Sequence, residues 1–268
     1  MRLDYGMMTS PYPIPLTIGT IRKPTLGEIA DPRICGFETF GIYESFLAMT
    51  PENYYTKIAK DAGEEKWAAL SDEEKASIKM YSVIVQDESL QKIYTQIFQF
   101  FFEEPVVYQQ GFFIILKGDK FREMEPSAEN VRGLINEELF PQIINILKQI
   151  CGMHIDEEEE DASQMKFKNE KARKIFERMQ KARKIQQEEK GHNPDFSLPN
   201  IISAVCTRHN SINYTNVYQL TVYQLMDTFD RLRNDAFYEI SKTSVSFWGD
   251  EKKTFKPDAW YKNEFDKK

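Results

Sequence analysis

Two Cys-x-x-His spacings, Cys151-Gly-Met-His154 and Cys206-Thr-Arg-His209, come nearest to a chemical site in this sequence. Together they could offer two thiolates and two imidazoles to a tetrahedral structural zinc. Against that stand the missing close Cys-x-x-Cys or His-x-x-x-His pairing of small zinc modules and the place of Cys206 on the apolar side of its helix. The preferred reading is therefore of thiols as small buried hydrophobes. No nucleophilic site can be assembled either: the three histidines sit in polar, turn-like surroundings and no Gly-x-Ser-x-Gly elbow occurs. Phosphate-cradling glycine motifs are also missing, and Lys117-Gly118-Asp119-Lys120 reads as a turn. The acidic run Asp156 to Asp161 lacks the turn-spaced ligands and glycine of a calcium loop and reads as solvated linker. The expectation is no catalytic residue, no cofactor, no metal and no enzyme.

The elements that would position such residues are mostly helical. Thr25-Leu26-Gly27-Glu28, Ser71-Asp72-Glu73-Glu74 and Thr221-Val222-Tyr223-Gln224 each have capping-box spacing, in which the hydroxyl accepts from the third helical N–H and the acid or amide reaches back to the cap. The first predicts a short helix ending near Asp31-Pro32, followed by another from Phe37 to Met49. Thr50-Pro51 predicts a further start, with Gly63 as its end. After Ser71, apolar residues at helical spacing predict one long or two abutting helices to about Phe102. Val106 to Tyr108 and Phe112 to Leu116 flank Gln109-Gln110-Gly111 and predict a β-hairpin. From Ser127 to Ile150 the pattern reads as helix, kinked or broken at Pro141 and stopped by Gly152. Ser197 opens a helix through Val205, a turn covers 210–215, and Thr221 opens the best-marked helix, beyond whose Ile240 the chain reads as β-prone and aromatic.

The fold class expected is mainly α: helical domains with a small β-hairpin and an extended N-terminal arm. Residues 1–24, with Pro11, Pro13, Pro15 and Pro24, form the arm, and Leu16 to Ile21 offer one β-prone run. Residues 25–153 form a helical domain with the hairpin near 106–116, residues 154–195 a charged helical linker, and residues 196–268 a C-terminal helical domain with an aromatic tail. The linker places ten Lys or Arg against four Glu within 166–190, with a narrow stripe of Ile175, Phe176, Met179 and Ala182. It reads as a solvated or partner-facing helix, since no aromatic platform for bases is interleaved.

A net charge of −7 disfavours a dedicated nucleic-acid binder and fits protein partners. Three widely separated cysteines predict a reducing compartment. No apolar leader follows Met1, and no run approaches the roughly 20 apolar residues of a membrane span.

Two segments carry a family resemblance. Thr20-Ile21-Arg22-Lys23-Pro24-Thr25-Leu26-Gly27-Glu28-Ile29 resembles the opening of tail-assembly proteins of long-tailed bacteriophages. Leu198 to Val205, Leu220 to Phe229 and the closing Trp260-Tyr261-Lys262-Asn263 are similar to proteins encoded among phage tail genes. The resemblance covers the first 60 and last 75 residues, roughly, and its motifs are caps and core positions. It implies a non-enzymatic tail assembly chaperone of the host bacterial cytoplasm that coats the tape-measure protein until tail-tube subunits polymerise round it. Tyr223, Phe229, Phe237, Trp248 and Trp260 are the candidate anchors for such a partner. The alternatives are a structural component of the virion tail or baseplate and a zinc-stabilised nucleic-acid-associated protein. Oligomeric state is left open.

Overall fold

Asp4 begins the first ordered turn: its carboxylate accepts from the Met7 N–H at 2.9 Å and caps helix α1, Tyr5–Thr9. The structure is a computed structural model and describes residues 2–118, 125–153, 194–250 and 255–261. The acidic run, the basic stretch, His154, His192, Lys262 and Asn263 lie outside the described residues. The chain forms two compact units, Met1–Met153 with Thr221–Tyr223, and His154–Leu220 with Gln224–Lys268.

In the first unit, the segment expected to be an extended arm is only partly extended. After α1, strands β1 (Ile14–Leu16) and β2 (Gly19–Ile21) pair antiparallel, with Ile14 opposite Ile21. Leu3, Met8, Ile14 and Ile21 are all buried, which is why the segment folds against the core instead of trailing in solvent. Lys23 fastens it by donating to the carbonyls of Met7 and Ser10, the latter at 2.7 Å. Helix α2, Leu26–Ala30, carries the complete Thr25/Glu28 capping box.

Helix α3 spans Phe37–Leu47, and α4, Pro51–Asn53, runs into a wider π-turn at Tyr54–Ile58 and then α5, Lys60–Ala69. Gly63 does not end this helix. A Cβ there would lie 2.5 Å from the Ala59 Cβ and 2.8 Å from the Tyr55 carbonyl oxygen, so glycine serves the crowding that the π-turn creates. Three helices then follow where one or two were expected: α6 (Asp72–Ser77), α7 (Met80–Gln86) and α8 (Glu88–Phe101). The break between the last two is made by Asp87, whose carboxylate accepts from the Ser89 and Leu90 N–H groups and from the Tyr54 hydroxyl.

Helix α8 is the centre of this unit, burying Leu90, Tyr94, Ile97, Phe98, Phe100 and Phe101. Phe98 packs edge-on to Phe113 at 4.8 Å and Tyr94 edge-on to Phe140 at 5.4 Å. Strands β3 (Val106–Gln109) and β4 (Phe112–Leu116) make the expected hairpin, with Gln110 and Gly111 both at positive φ as a two-residue type I′ turn requires.

The helix expected from Ser127 to Ile150 is two different elements. Val131–Ile135 is strand β5, paired antiparallel to β4, and only Phe140–Ile150 is helix, α9. Pro141 lies in the first turn of α9, where its missing N–H costs nothing, so it starts the helix and does not kink one. Gly133 decides for strand: a Cβ there would meet the Cβ and backbone of Ile18 at 2.5 to 2.6 Å, and only a bare backbone lets the β1–β2 turn approach. Glu104 ties the same parts together, accepting from the Thr20 N–H at 2.9 Å and pairing with Arg132 on β5. Gly152, at φ +69°, ends α9 as expected, with the two hydrogen bonds of a Schellman motif, Met153 N–H to Lys148 and Gly152 N–H to Gln149.

In the second unit, helix α10 (Leu198–Arg208) buries Ile201, Ile202 and Val205. A polar turn follows, and then the 27-residue helix α11, Val222–Trp248, which belongs to this unit from Gln224 onward. The β-prone reading past Ile240 is overturned: residues 241–248 remain helical, because a helix once formed propagates at little cost through Thr243 and Val245. Gly249, at φ +75°, closes it. The fold is mainly α, and among the described residues no helix is long and apolar enough to cross a membrane.

Candidate partner-binding surface

Three of the four metal-ligand candidates, Cys151, Cys206 and His209, lie among the described residues. Cys151 is the C-cap of α9 and buried; burial, with the Glu44 carboxylate adding to it, pushes its thiol well above the usual range. Cys206 lies on α10 in the second unit, and burial raises its pKa as well. His209, the C-cap of α10, uses Nδ1 to accept the backbone N–H groups of Ser211 at 3.1 Å and Ile212 at 3.0 Å, which builds the turn after the helix. His154 lies outside the described residues. Among the described residues no three His, Cys, Asp or Glu side chains gather as a metal site.

An open cleft of about 460 Å³ lies between the end of α10 and the middle of α11, lined by Arg208, His209, Asn210, Leu232 and Asp235. Its lining is mostly polar, with Leu232 the sole apolar side chain, so it lacks the apolar enclosure of a small-molecule pocket.

The feature that stands out is on α11. Near its start Val222 and Leu225 are buried, and Phe229 is half-buried beneath the Arg233 guanidinium, 5.6 Å from the ring centre. Three turns later the burial ends while the apolar pattern goes on. Phe237 is 63% exposed, Ile240 67%, Phe247 78% and Trp248 85%. At about 100° per residue these four and Ser244 fall within an arc of about 100°. From 237 to 248 the charged residues lie elsewhere on the helix: Glu239 and Lys242 pair at 3.1 Å on the opposite side. Tyr238, on the flank, stacks on Phe255 at 5.6 Å, so Phe255 lies against that flank and not on the arc.

Of the five anchor candidates, Phe237, Trp248 and Trp260 are exposed, whereas Tyr223 and Phe229 are partly covered. Trp260 lies on a short 3₁₀ turn, its ring 5.0 Å from Tyr261. Ile240 and Phe247 complete the exposed arc and were not among the candidates. Their signal was present in the sequence, since 237, 240, 244 and 247 keep the three-and-four alternation of a helical seam. The β-prone reading of 241–248 concealed it.

Residues 176–264 match the family model described as the YomV second domain, a phage-associated family. The match spans all of α10 and α11 and covers about a third of the chain. No curated protein and no solved structure matches the chain. Over that third, and with the bare arc inside it, the chain is similar to a phage-associated domain.

Proposed function

We propose that this chain is a non-enzymatic protein that binds an apolar helical partner through the exposed arc of α11, and that it serves phage tail assembly as a chaperone of the tape-measure protein in the host bacterial cytoplasm. The observation that carries the binding role is the arc itself, in which two Phe, one Trp and one Ile stand more than half exposed on one face that carries no charge from 237 to 248. Isolated apolar residues on a surface are ordinary; four large ones aligned on one helix are a docking surface or an aggregation hazard. A helix laid along this face would bury its own apolar stripe against Phe237, Ile240, Phe247 and Trp248, with the aromatic rings as anchors. The phage setting is supported by the phage-associated match over residues 176–264, and the tail-assembly role within it rests on the resemblance of the two terminal segments.

The test is co-expression of the tagged chain with the tape-measure protein of the same phage genome. Co-purification is expected, with loss of the partner when Phe237 and Trp248 are both changed to Asp. A tape-measure protein that never co-purifies, or one that the doubly charged variant still holds, refutes the reading.

A further inference from the structure

We propose that, in the absence of its client, the exposed arc of α11 is covered by the same arc of a second copy, as an antiparallel two-helix seam centred on residue 242. This rests on the reading of the arc as a docking face and names what occupies it first.

The spacing argues for a helical seam. Phe237, Ile240, Ser244 and Phe247 are separated by three, four and three residues, the a and d positions of a coiled coil. Their sizes argue for the antiparallel direction. Phe237 and Phe247 are equidistant from position 242, and so are Ile240 and Ser244. A twofold axis at 242 therefore sets Phe237 of each copy against Phe247 of the other, and Ile240 against Ser244. Each layer then joins residues that fill it: two rings at the ends, a large aliphatic over a small hydroxyl in the middle. A parallel pair would instead face Ser244 with Ser244 and leave a gap at the centre of the seam.

The flanks permit close approach. Asn234, Ala236, Ser241 and Thr243 border the arc and none carries charge, so no like-charge pair opposes a second copy. The area is sufficient. From the exposed fractions of Phe237, Ile240, Phe247 and Trp248, each copy offers about 600 Å², with an aromatic side chain taken at 150–250 Å². Two copies bury up to about 1,200 Å², the lower bound of the standard range for a specific interface. An isologous pairing of this kind closes on itself and leaves no arc free to propagate into fibres.

Sedimentation of the full chain without a client tests this. The expected result at about 100 µM is a mass twice that of one chain. Ile240→Glu is expected to halve that mass without changing the far-UV helical signal, since Ile240 is two-thirds exposed. Direction is read by oxidation in a Cys206→Ser background: Ile240→Cys with Ser244→Cys is expected to give a covalent dimer, and Ser244→Cys alone is not. A monomeric native chain, a dimer that survives Ile240→Glu, or cross-linking by Ser244→Cys alone overturns the proposal. Co-purification with the tape-measure protein separates the two readings. A monomer that captures the client defeats self-pairing and leaves the docking role standing, whereas a dimer that captures none supports the seam and counts against the client.

Discussion

Truncation of Trp248 to Ala separates a docking residue from a folding residue. The side chain is 85% exposed, and with about 250 Å² for an indole-bearing side chain roughly 200 Å² is available to a partner. At about 25 cal/mol per Å², complete burial would contribute up to about 5 kcal/mol, and the cost of ordering both surfaces brings the expected loss on truncation to about 2–4 kcal/mol. That corresponds to about 30- to 1,000-fold weaker binding. The fold itself should hardly respond, because an exposed substitution is ordinarily within about 0.5 kcal/mol and Ala is the better helix former. The assay is titration calorimetry against the purified tape-measure protein, paired with urea denaturation followed by circular dichroism, both with the chain dilute enough to be monomeric, so that self-pairing does not enter either number. Affinity unchanged within about threefold, with the midpoint also unchanged, would show that the arc is not the docking face. A stability loss above about 1 kcal/mol would show that Trp248 is packed in the folded chain, contrary to its exposure.

Three further predictions concern the first unit. Gly133→Ala forces a Cβ to within 2.5 Å of Ile18 and is expected to destabilise by about 1–3 kcal/mol, read as a lower urea midpoint. Wild-type stability in that variant would mean that the β1–β2 turn does not press on β5. Glu104→Ala strips the Thr20 N–H and the Arg132 guanidinium of their shared acceptor, at an expected cost of about 2–3 kcal/mol because Arg132 keeps partial access to water. A loss below about 0.5 kcal/mol would place that carboxylate in solvent. Burial raises the Glu44 carboxyl from 4.5 to about 7, so between those values the folded chain holds the proton that the unfolded chain releases. Stability is therefore fullest below about pH 4.5 for this group and is lost as pH rises through about 7, and Glu44→Gln should flatten that slope in denaturation at pH 5 and pH 8.

The sequence alone determined those features whose cause is local. The Thr25 and Ser71 capping boxes, the Gln110-Gly111 hairpin turn and the Gly152 stop were legible because each satisfies backbone groups within a few residues of itself. The mainly α class followed from the same signals together with helical apolar spacing. What tertiary structure decided were the segments whose local preferences were evenly matched. Leu134 and Ile135 fit a helical spacing as well as a strand; β4 supplied a partner for their backbone, and the approach of Ile18 required the bare Gly133 just before them. Gly63 looked like a terminator until a π-turn made it a spacer. The exposed arc of α11 shows the same division at the level of function. Its residue types were visible in the sequence, but an apolar residue at helical spacing is equally suited to a core or to a partner. Only the folded chain, by covering Val222 and Leu225 and leaving Phe237, Ile240, Phe247 and Trp248 bare, distinguishes the two.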